Sequence, residues 1–139
     1  MPYDLARDLQ TCRGHHAVLR ELLERFPEAV AANGPRVRAA LREIELVLVR
    51  HLAFEDARLY PVLEAAEPVL AARACRYREE MGDLSAKAVA FFERWRAEGA
   101  IETEPHAFAR AWDAVRTALE RRMAAEDDDL YEAADHHAG

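Results

Sequence analysis

A histidine and a glutamate one helical turn apart, His51 and Glu55, are the residues in this sequence best suited to chemistry. Side chains four positions apart lie on the same face of an α-helix. Both residues stand where the surrounding helical pattern calls for apolar side chains. Because a buried imidazole and a buried carboxylate cost free energy unless a partner satisfies them, the pair indicates a polar site inside a helical core.

Three more polar residues interrupt apolar stripes elsewhere in the chain: His16, Arg122 and Glu126. Antiparallel packing of the helices can bring all of these polar residues into one layer. Imidazole nitrogens and carboxylate oxygens that converge inside a bundle are typical ligands of iron, manganese or zinc. A single core histidine is more often a hydrogen-bonded structural residue, but two histidines and two carboxylates in one layer favour a metal site.

Four amphipathic segments must position these residues. Ala, Leu, Arg and Glu dominate the composition, and no stretch alternates in the manner of a β-strand. Apolar residues recur at helical spacing, which predicts helices over residues 4–26, 35–63, 68–97 and 105–133. We expect Pro27 to end the first helix, Asn33-Gly34-Pro35 to form the next turn, and the tail 135–139 to fray.

Helices of similar length with short connections predict an all-α, up-down-up-down four-helix bundle that forms one domain over residues 1–139. The second half also echoes the first. His51, Glu55 and Leu59-Tyr60 parallel Arg122, Glu126 and Leu130-Tyr131, while the segment 15–19 parallels the segment 80–84. The chain is therefore expected to contain two copies of one helical hairpin.

Composition and charge limit what such a domain binds. Hydrophobic residues make up 51% of the 139 residues, and the net charge is -7. The acidic balance argues against nonspecific binding to nucleic acid or to an anionic membrane. No apolar run approaches the ~20 residues of a membrane span, and the charged N-terminal residues do not form a signal peptide. We expect a cytoplasmic protein in which Cys12 and Cys75 are unpaired core residues.

The motif His51-x-x-x-Glu55 followed by Leu59-Tyr60-Pro61 resembles the hemerythrin-like, or HHE cation-binding, family. His16 and the leucines that follow it resemble the histidine helix that precedes this motif. The resemblance covers nearly the whole chain. It implies a four-helix bundle whose core usually holds a non-haem di-iron centre, in proteins that bind oxygen, nitric oxide or iron or act as sensory domains.

Two positions depart from that family's pattern. Alignment of the two halves puts Met81 where the third helix should bring a histidine, and Tyr77, the other candidate, is not a histidine either. Arg122 stands at the histidine position of the fourth helix. The resemblance thus implies that one half-site of the di-iron centre is lost. It also implies the ligands of the retained half-site: His16, His51, Glu55, and Glu126 or Asp127.

Arg122 cannot ligate a metal, because it stays charged and only donates hydrogen bonds. Buried, it needs carboxylate partners, and Glu55 and Glu126 are the predicted partners in a core salt bridge that replaces the metal. His15, one position off the stripe, is expected to be exposed. We expect the acidic run 126–129 to be a solvated helix end. A second divalent-ion site there is the less favoured alternative.

Three functions remain open, in decreasing order of preference. The first is a metal-free bundle that acts in sensing or through protein contacts. The second is a binder of one divalent metal, Fe, Zn or Mn, at the retained half-site. The third is a functional non-haem iron protein that binds oxygen, nitric oxide or iron. No enzymatic activity is expected, because the sequence has no phosphate-binding glycine loop and no Ser-His-Asp or Cys-His nucleophile. A protein partner or a homodimer is compatible with the sequence, which identifies neither.

Overall fold

Helices account for nearly all of the described chain. The computed structural model describes residues 4–32 and 34–138. Its elements are α1 (Leu5–Ala32), α2 (Gly34–Phe54), a π-helical turn (Glu55–Leu59), α3 (Tyr60–Glu64), α4 (Pro68–Trp95), the short α5 (Ala100–Thr103), α6 (Pro105–Ala125), a second π-helical turn (Glu126–Leu130) and α7 (Tyr131–Ala138). The π-helical turns join α2 to α3 and α6 to α7, so four helical rods result. The predicted all-α helical bundle is confirmed.

The apolar stripes of the four rods are buried against one another. One cluster contains an aromatic group in which the rings of Phe26 and Trp112 lie 4.1 Å apart. A second cluster, which includes Leu9, Leu63 and Leu130, fills the other end of the bundle. The polar residues predicted in the stripes are buried between these clusters along each rod. No helix in the described ranges is long and apolar enough to cross a bilayer.

Two helices extend beyond their predicted ends. α1 continues through Pro27 to Ala32. A proline inside a helix removes one backbone hydrogen bond, and Pro27 does so on the exposed side, where its ring displaces no core side chain. The tail expected to fray is helical to Ala138, and Asp135 in it pairs with Arg13. Asn33 of the predicted turn and Gly139 lie outside the described residues.

The start and end of α4 follow local signals. The Glu67 carboxylate accepts hydrogen bonds from the N–H groups of Val69 at 2.9 Å and Leu70 at 2.7 Å, and Pro68 is the first helical residue. Beyond the helix, Gly99 takes a left-handed conformation with φ 81°, which glycine adopts without strain. These boundaries fix the ends of α4, the third rod, in which Met81 is buried. Five buried polar residues of the other rods (His16, His51, Glu55, Arg122 and Glu126) are called the polar layer below.

The two cysteines have different environments. Cys12 is buried as predicted, whereas Cys75 is exposed, so the prediction of a core position for Cys75 is wrong. Cys75 follows the buried Ala74 and therefore points away from the stripe that Ala74 belongs to.

Matching contacts in the two halves confirm the internal repeat. When His16 is aligned with Met81 and His51 with Arg122, two ion pairs become equivalent. They are Arg13–Asp135, at 2.5 Å, and Arg78–Glu64, at 2.6 Å. Each guanidinium also lies over an equivalent tyrosine ring, at 5.7 Å from the centre of Tyr131 and 5.2 Å from that of Tyr60.

A second equivalent ion pair has its charges exchanged. Asp8 accepts from Arg58 at 3.2 Å in one half, and Asp129 accepts from Arg73 at 2.9 Å in the other. The position of Asp8 corresponds to Arg73, and that of Arg58 to Asp129. Because both residues of the pair are exchanged together, the attraction is kept and the geometry of the two hairpins stays alike.

Candidate metal centre

Both buried glutamates begin a π-helical turn. The turns start at Glu55 and Glu126, at equivalent positions of the repeat. In a regular α-helix, a side chain five positions later points well away from the first one. The wider turn changes this relation, so Tyr60 follows Glu55 into the core and Tyr131 follows Glu126, all with relative exposures of 0–1%.

Two imidazoles and one carboxylate converge in the polar layer. His16 Nε2 lies 3.1 Å from His51 Nε2 and 3.1 Å from Glu126 Oε1. His51 Nε2 lies 3.7 Å from the same oxygen. One ligand atom from each residue lies within 4.8 Å of the others, a spacing that one metal ion could span. The structure thus brings His16, His51 and Glu126, of the five predicted ligands, into one candidate cation site.

Glu55 lies beside His51 and outside this trio. Its Oε1 is 2.9 Å from His51 Nε2 but lacks hydrogen-bond geometry, and it has no hydrogen-bond partner within the described part of the chain. Its other oxygen accepts from the Tyr131 hydroxyl at 3.0 Å. A buried carboxylate oxygen without a donor is costly, and a bound cation would satisfy it. The residues present therefore fit one divalent metal ion.

The Nδ1 atom of each histidine, here called its outer nitrogen, contacts another side chain. His16 Nδ1 lies 2.9 Å from Asp127 Oδ1, and Arg20 donates to the other oxygen of Asp127 at 2.6 Å. His51 Nδ1 lies 3.0 Å from His15 Nδ1. A proton on each outer nitrogen leaves Nε2 directed at the layer, as metal-binding histidines require. The structure places Asp127, an alternative ligand in the prediction, behind His16 and away from the converging atoms.

Arg122 lies at the position equivalent to His51. Its side chain is 8% exposed, donates to the Tyr60 hydroxyl at 3.0 Å and to the Tyr77 carbonyl, and lies 4.7 Å from the centre of the Tyr77 ring. Arg122 Nε lies 3.5 Å from Glu126 Oε2 and makes no hydrogen bond within the described residues. NH1 is 3.6 Å from the exposed Glu80 carboxylate.

The Glu126 carboxylate lies between the histidines and the guanidinium. Oε1 faces His16 and His51, while Oε2 faces Arg122 and accepts from the Tyr60 hydroxyl at 3.4 Å. Of the two carboxylates predicted to pair with Arg122, the structure brings Glu126 to it. Glu55 instead turns its oxygens to His51 and Tyr131. The layer is therefore asymmetric, with imidazoles on one side of Glu126 and a guanidinium on the other.

Protonation of the layer depends on this charge arrangement. Burial lowers the pKa of His51, but hydrogen bonds and the charges of Glu126 and Glu55 outweigh it and raise the pKa to about 9. Burial and the charge of Glu126 raise the pKa of Glu55 to about 7. Burial would raise the pKa of Glu126, but His16, His51 and the Arg122 charge hold it below its usual range. This raised pKa favours the protonated form of His51 in the layer without metal.

Sequence reasoning missed three residues that contact the site. Tyr60 and Tyr131 follow the two glutamates at the same distance in each half, a signal that the repeat already contains. In a regular α-helix, the two tyrosine side chains would point away from the glutamates. The π-helical turns direct them into the core instead. His15 was expected to be exposed, but it is half-buried and its ring contacts His51 and Phe54.

The described fold and site agree with a comparison of the sequence with known families. The family described as Hemerythrin HHE cation binding domain matches residues 7–134. The chain belongs to this family. No curated protein and no solved structure matches the chain significantly.

Truncation of Arg122 should destabilise the protein. Removal of one partner of a buried ion pair costs about 3–5 kcal/mol, and Arg122→Ala also leaves Tyr60 without its donor. We expect the free energy of unfolding, measured by urea denaturation in chelator, to fall by about 3 kcal/mol. The matched control is Arg121→Ala at the exposed neighbouring position, which should change it by less than ~0.5 kcal/mol. A loss of that small size for Arg122→Ala would contradict a structural role.

The stability of the metal-free protein should fall as the pH rises. The folded-state pKa of His51 lies above its ordinary 6.5, so its contribution is complete below pH 6.5 and is lost as the pH passes about 9. Glu55, whose pKa is also raised, acts in the same direction. Between pH ~6 and ~9.5 we expect a loss on the order of 2 kcal/mol, which His51→Gln should reduce. Equal urea midpoints for the parent at both pH values would show that His51 is neutral in the folded state.

Proposed function

We propose that this domain binds a single divalent transition-metal ion through His16, His51 and Glu126, with Glu55 as an adjacent carboxylate. The observation that carries the proposal is the convergence of His16 Nε2, His51 Nε2 and Glu126 Oε1, two of whose separations are 3.1 Å. Two imidazoles and one or two carboxylates suit Fe²⁺, Zn²⁺ or Mn²⁺. Glu55 Oε1, which lies 2.9 Å from His51 Nε2 and makes no hydrogen bond within the described residues, is a further carboxylate oxygen available to such an ion.

The described residues of the layer offer no comparable set of ligands for a second metal ion. Met81 and Arg122 stand at the two positions equivalent to His16 and His51. Arg122 stays positively charged and directs its side chain at the second Glu126 oxygen. A second cation would meet electrostatic repulsion from the guanidinium and would find no imidazole ligand there. Arg122 therefore acts as the fixed second cation of the layer.

Such an ion would supply Lewis acidity and, if it is iron, an exchangeable site for small ligands. Residues of the chain hold the ligand side chains in place. His15 and Asp127 hold the rings of His51 and His16, and the Tyr60 and Tyr131 hydroxyls each donate to a glutamate. The two apolar clusters flank the layer on either side. Because metal must displace the Nε2 proton of His51, metal occupancy is linked to pH, which is compatible with a role in sensing.

The metal-free bundle is the second candidate function. Arg122 and the His51 imidazolium provide two positive charges for the two buried glutamates, so the layer is electrically balanced without an ion. In that case the protein would act through contacts with a partner. The two candidates differ in one measurable quantity, the number of metal ions bound per chain.

Metal titration separates these candidates. We expect calorimetry with Zn²⁺ or anaerobic Fe²⁺ to give one ion per chain, and His51→Ala to abolish this binding. His106→Ala is the matched control, because His106 is exposed on α6, and it should bind like the parent. Met81→His combined with Arg122→His should raise iron binding toward two ions per chain.

Three outcomes would contradict the proposal of a single metal ion bound by these residues. Two coupled irons in the parent protein would show that Arg122 does not exclude the second ion. No binding at millimolar metal would leave the metal-free bundle as the function. Binding that survives His51→Ala would place the ion elsewhere, with the acidic run 126–129 as the next candidate.

A further inference from the structure

A cleft of about 330 Å³ opens beside the polar layer between the second and third rods. Its inner wall includes Glu55, Tyr60 and Met81, all of which belong to the layer or contact it. Toward the surface it is lined by Asp56, which is exposed, and Ser85, which is half-buried. The cleft therefore ends against Glu55, which is fully buried and whose Oε1 has no hydrogen-bond partner within the described part of the chain.

The equivalent position in the other half of the repeat carries an ion pair. Alignment of the halves equates Asp56 with Asp127 and Ser85 with Arg20. Arg20 reaches across and pairs with Asp127 at 2.6 Å, which covers His16. Serine is too short to make the same bridge, and within the described residues Asp56 has no ion-pair partner. Because serine replaces arginine here, the cleft beside Asp56 has no bridge equivalent to the Arg20–Asp127 ion pair.

The charges along the cleft suit a cation. Asp56 lies at the mouth and Glu55 at the inner end, whereas the nearby Arg78 is paired with Glu64 at 2.6 Å. Two further clefts, one between α4 and α6 and one between α2 and α4, include none of the site residues in their linings. An ion that enters beside Asp56 meets Glu55 before it meets either histidine.

We propose that this cleft is the entrance through which a hydrated divalent cation reaches the layer, and that Glu55 is its first protein ligand there. The inference rests on the proposed single-metal function. Glu55 Oε1 lies 2.9 Å from His51 Nε2, so an ion held by Glu55 is already beside the trio of His16, His51 and Glu126. This role explains why Glu55 lines the cleft yet lies outside the trio.

The test is the rate of Zn²⁺ uptake by the full chain, followed in a stopped-flow instrument with a chromogenic chelator as competitor. Ser85→Arg should recreate with Asp56 the bridge that Arg20 makes with Asp127, and so lower the association rate about tenfold. Release should slow equally, so the equilibrium affinity should stay within about twofold of the parent. Adding Asp56→Ala to Ser85→Arg removes the bridge and should restore much of the rate.

A pair of glycines provides the matched steric control. A side chain at Gly82, in the cleft lining, or at Gly14, on α1, meets nothing within 4 Å of its Cβ, so both sites accept substitution. Gly82→Phe should slow Zn²⁺ uptake, and Gly14→Phe should not. Circular dichroism of all variants checks that they fold.

Two results would overturn the proposal, and they are distinguishable. If the parent binds Zn²⁺ but Ser85→Arg and Gly82→Phe take it up at the parent's rate, the ion enters elsewhere and the single-metal function stands. If the equilibrium titration shows that the parent binds no Zn²⁺, the function itself fails and the entrance fails with it.

Discussion

The interaction on which this structure depends is the placement of the Glu126 carboxylate between unlike positive groups. One oxygen faces the two imidazoles and the other faces the guanidinium of Arg122. A carboxylate 1% exposed in an apolar bundle is stable only when such groups surround it. With Glu55 also buried, the layer needs about two positive charges. Arg122 supplies one permanently, and a proton on His51 or the proposed metal ion would supply the second.

This charge requirement explains how two equivalent hairpins came to hold unequal sites. Ion pairs such as Arg13–Asp135 and Arg78–Glu64, and the reciprocal donation from each tyrosine to the opposite glutamate, keep the backbones alike. Within that common frame, one half carries two histidines, and the other carries the permanent positive charge of Arg122. The serine that leaves the cleft open belongs to the half that carries the guanidinium.

The helical stripes could be predicted from the sequence because their spacing depends only on backbone geometry, and that spacing correctly placed His16, His51, Glu55, Arg122 and Glu126 in the core. Other features depend on tertiary contacts. The sequence predicted that Pro27 would end the first helix and that Cys75 would be buried. In the structure, α1 continues through Pro27 and Cys75 is exposed. The π-helical turns have no simple sequence signal, so the inward tyrosines were missed.

The side-chain contacts of the core residues could not be predicted from the sequence either. Spacing alone places Glu55 and Glu126 equally well beside Arg122. The choice is made by side-chain contacts, since Tyr131 donates to Glu55 while Tyr60 and Tyr77 hold the guanidinium near Glu126. In the same way, the ring of His15 contacts His51 only because α1 and α2 pack closely at that level.

A crystal structure of zinc-loaded protein, with anomalous diffraction data on both sides of the zinc absorption edge, would show most directly how many metal ions the layer holds. We expect one anomalous peak in the bundle core, in contact with His16 Nε2, His51 Nε2 and Glu126 Oε1, while Arg122 keeps its contacts with Tyr60 and Tyr77. Two core peaks, or a single peak located only on the acidic run 126–129, would contradict it.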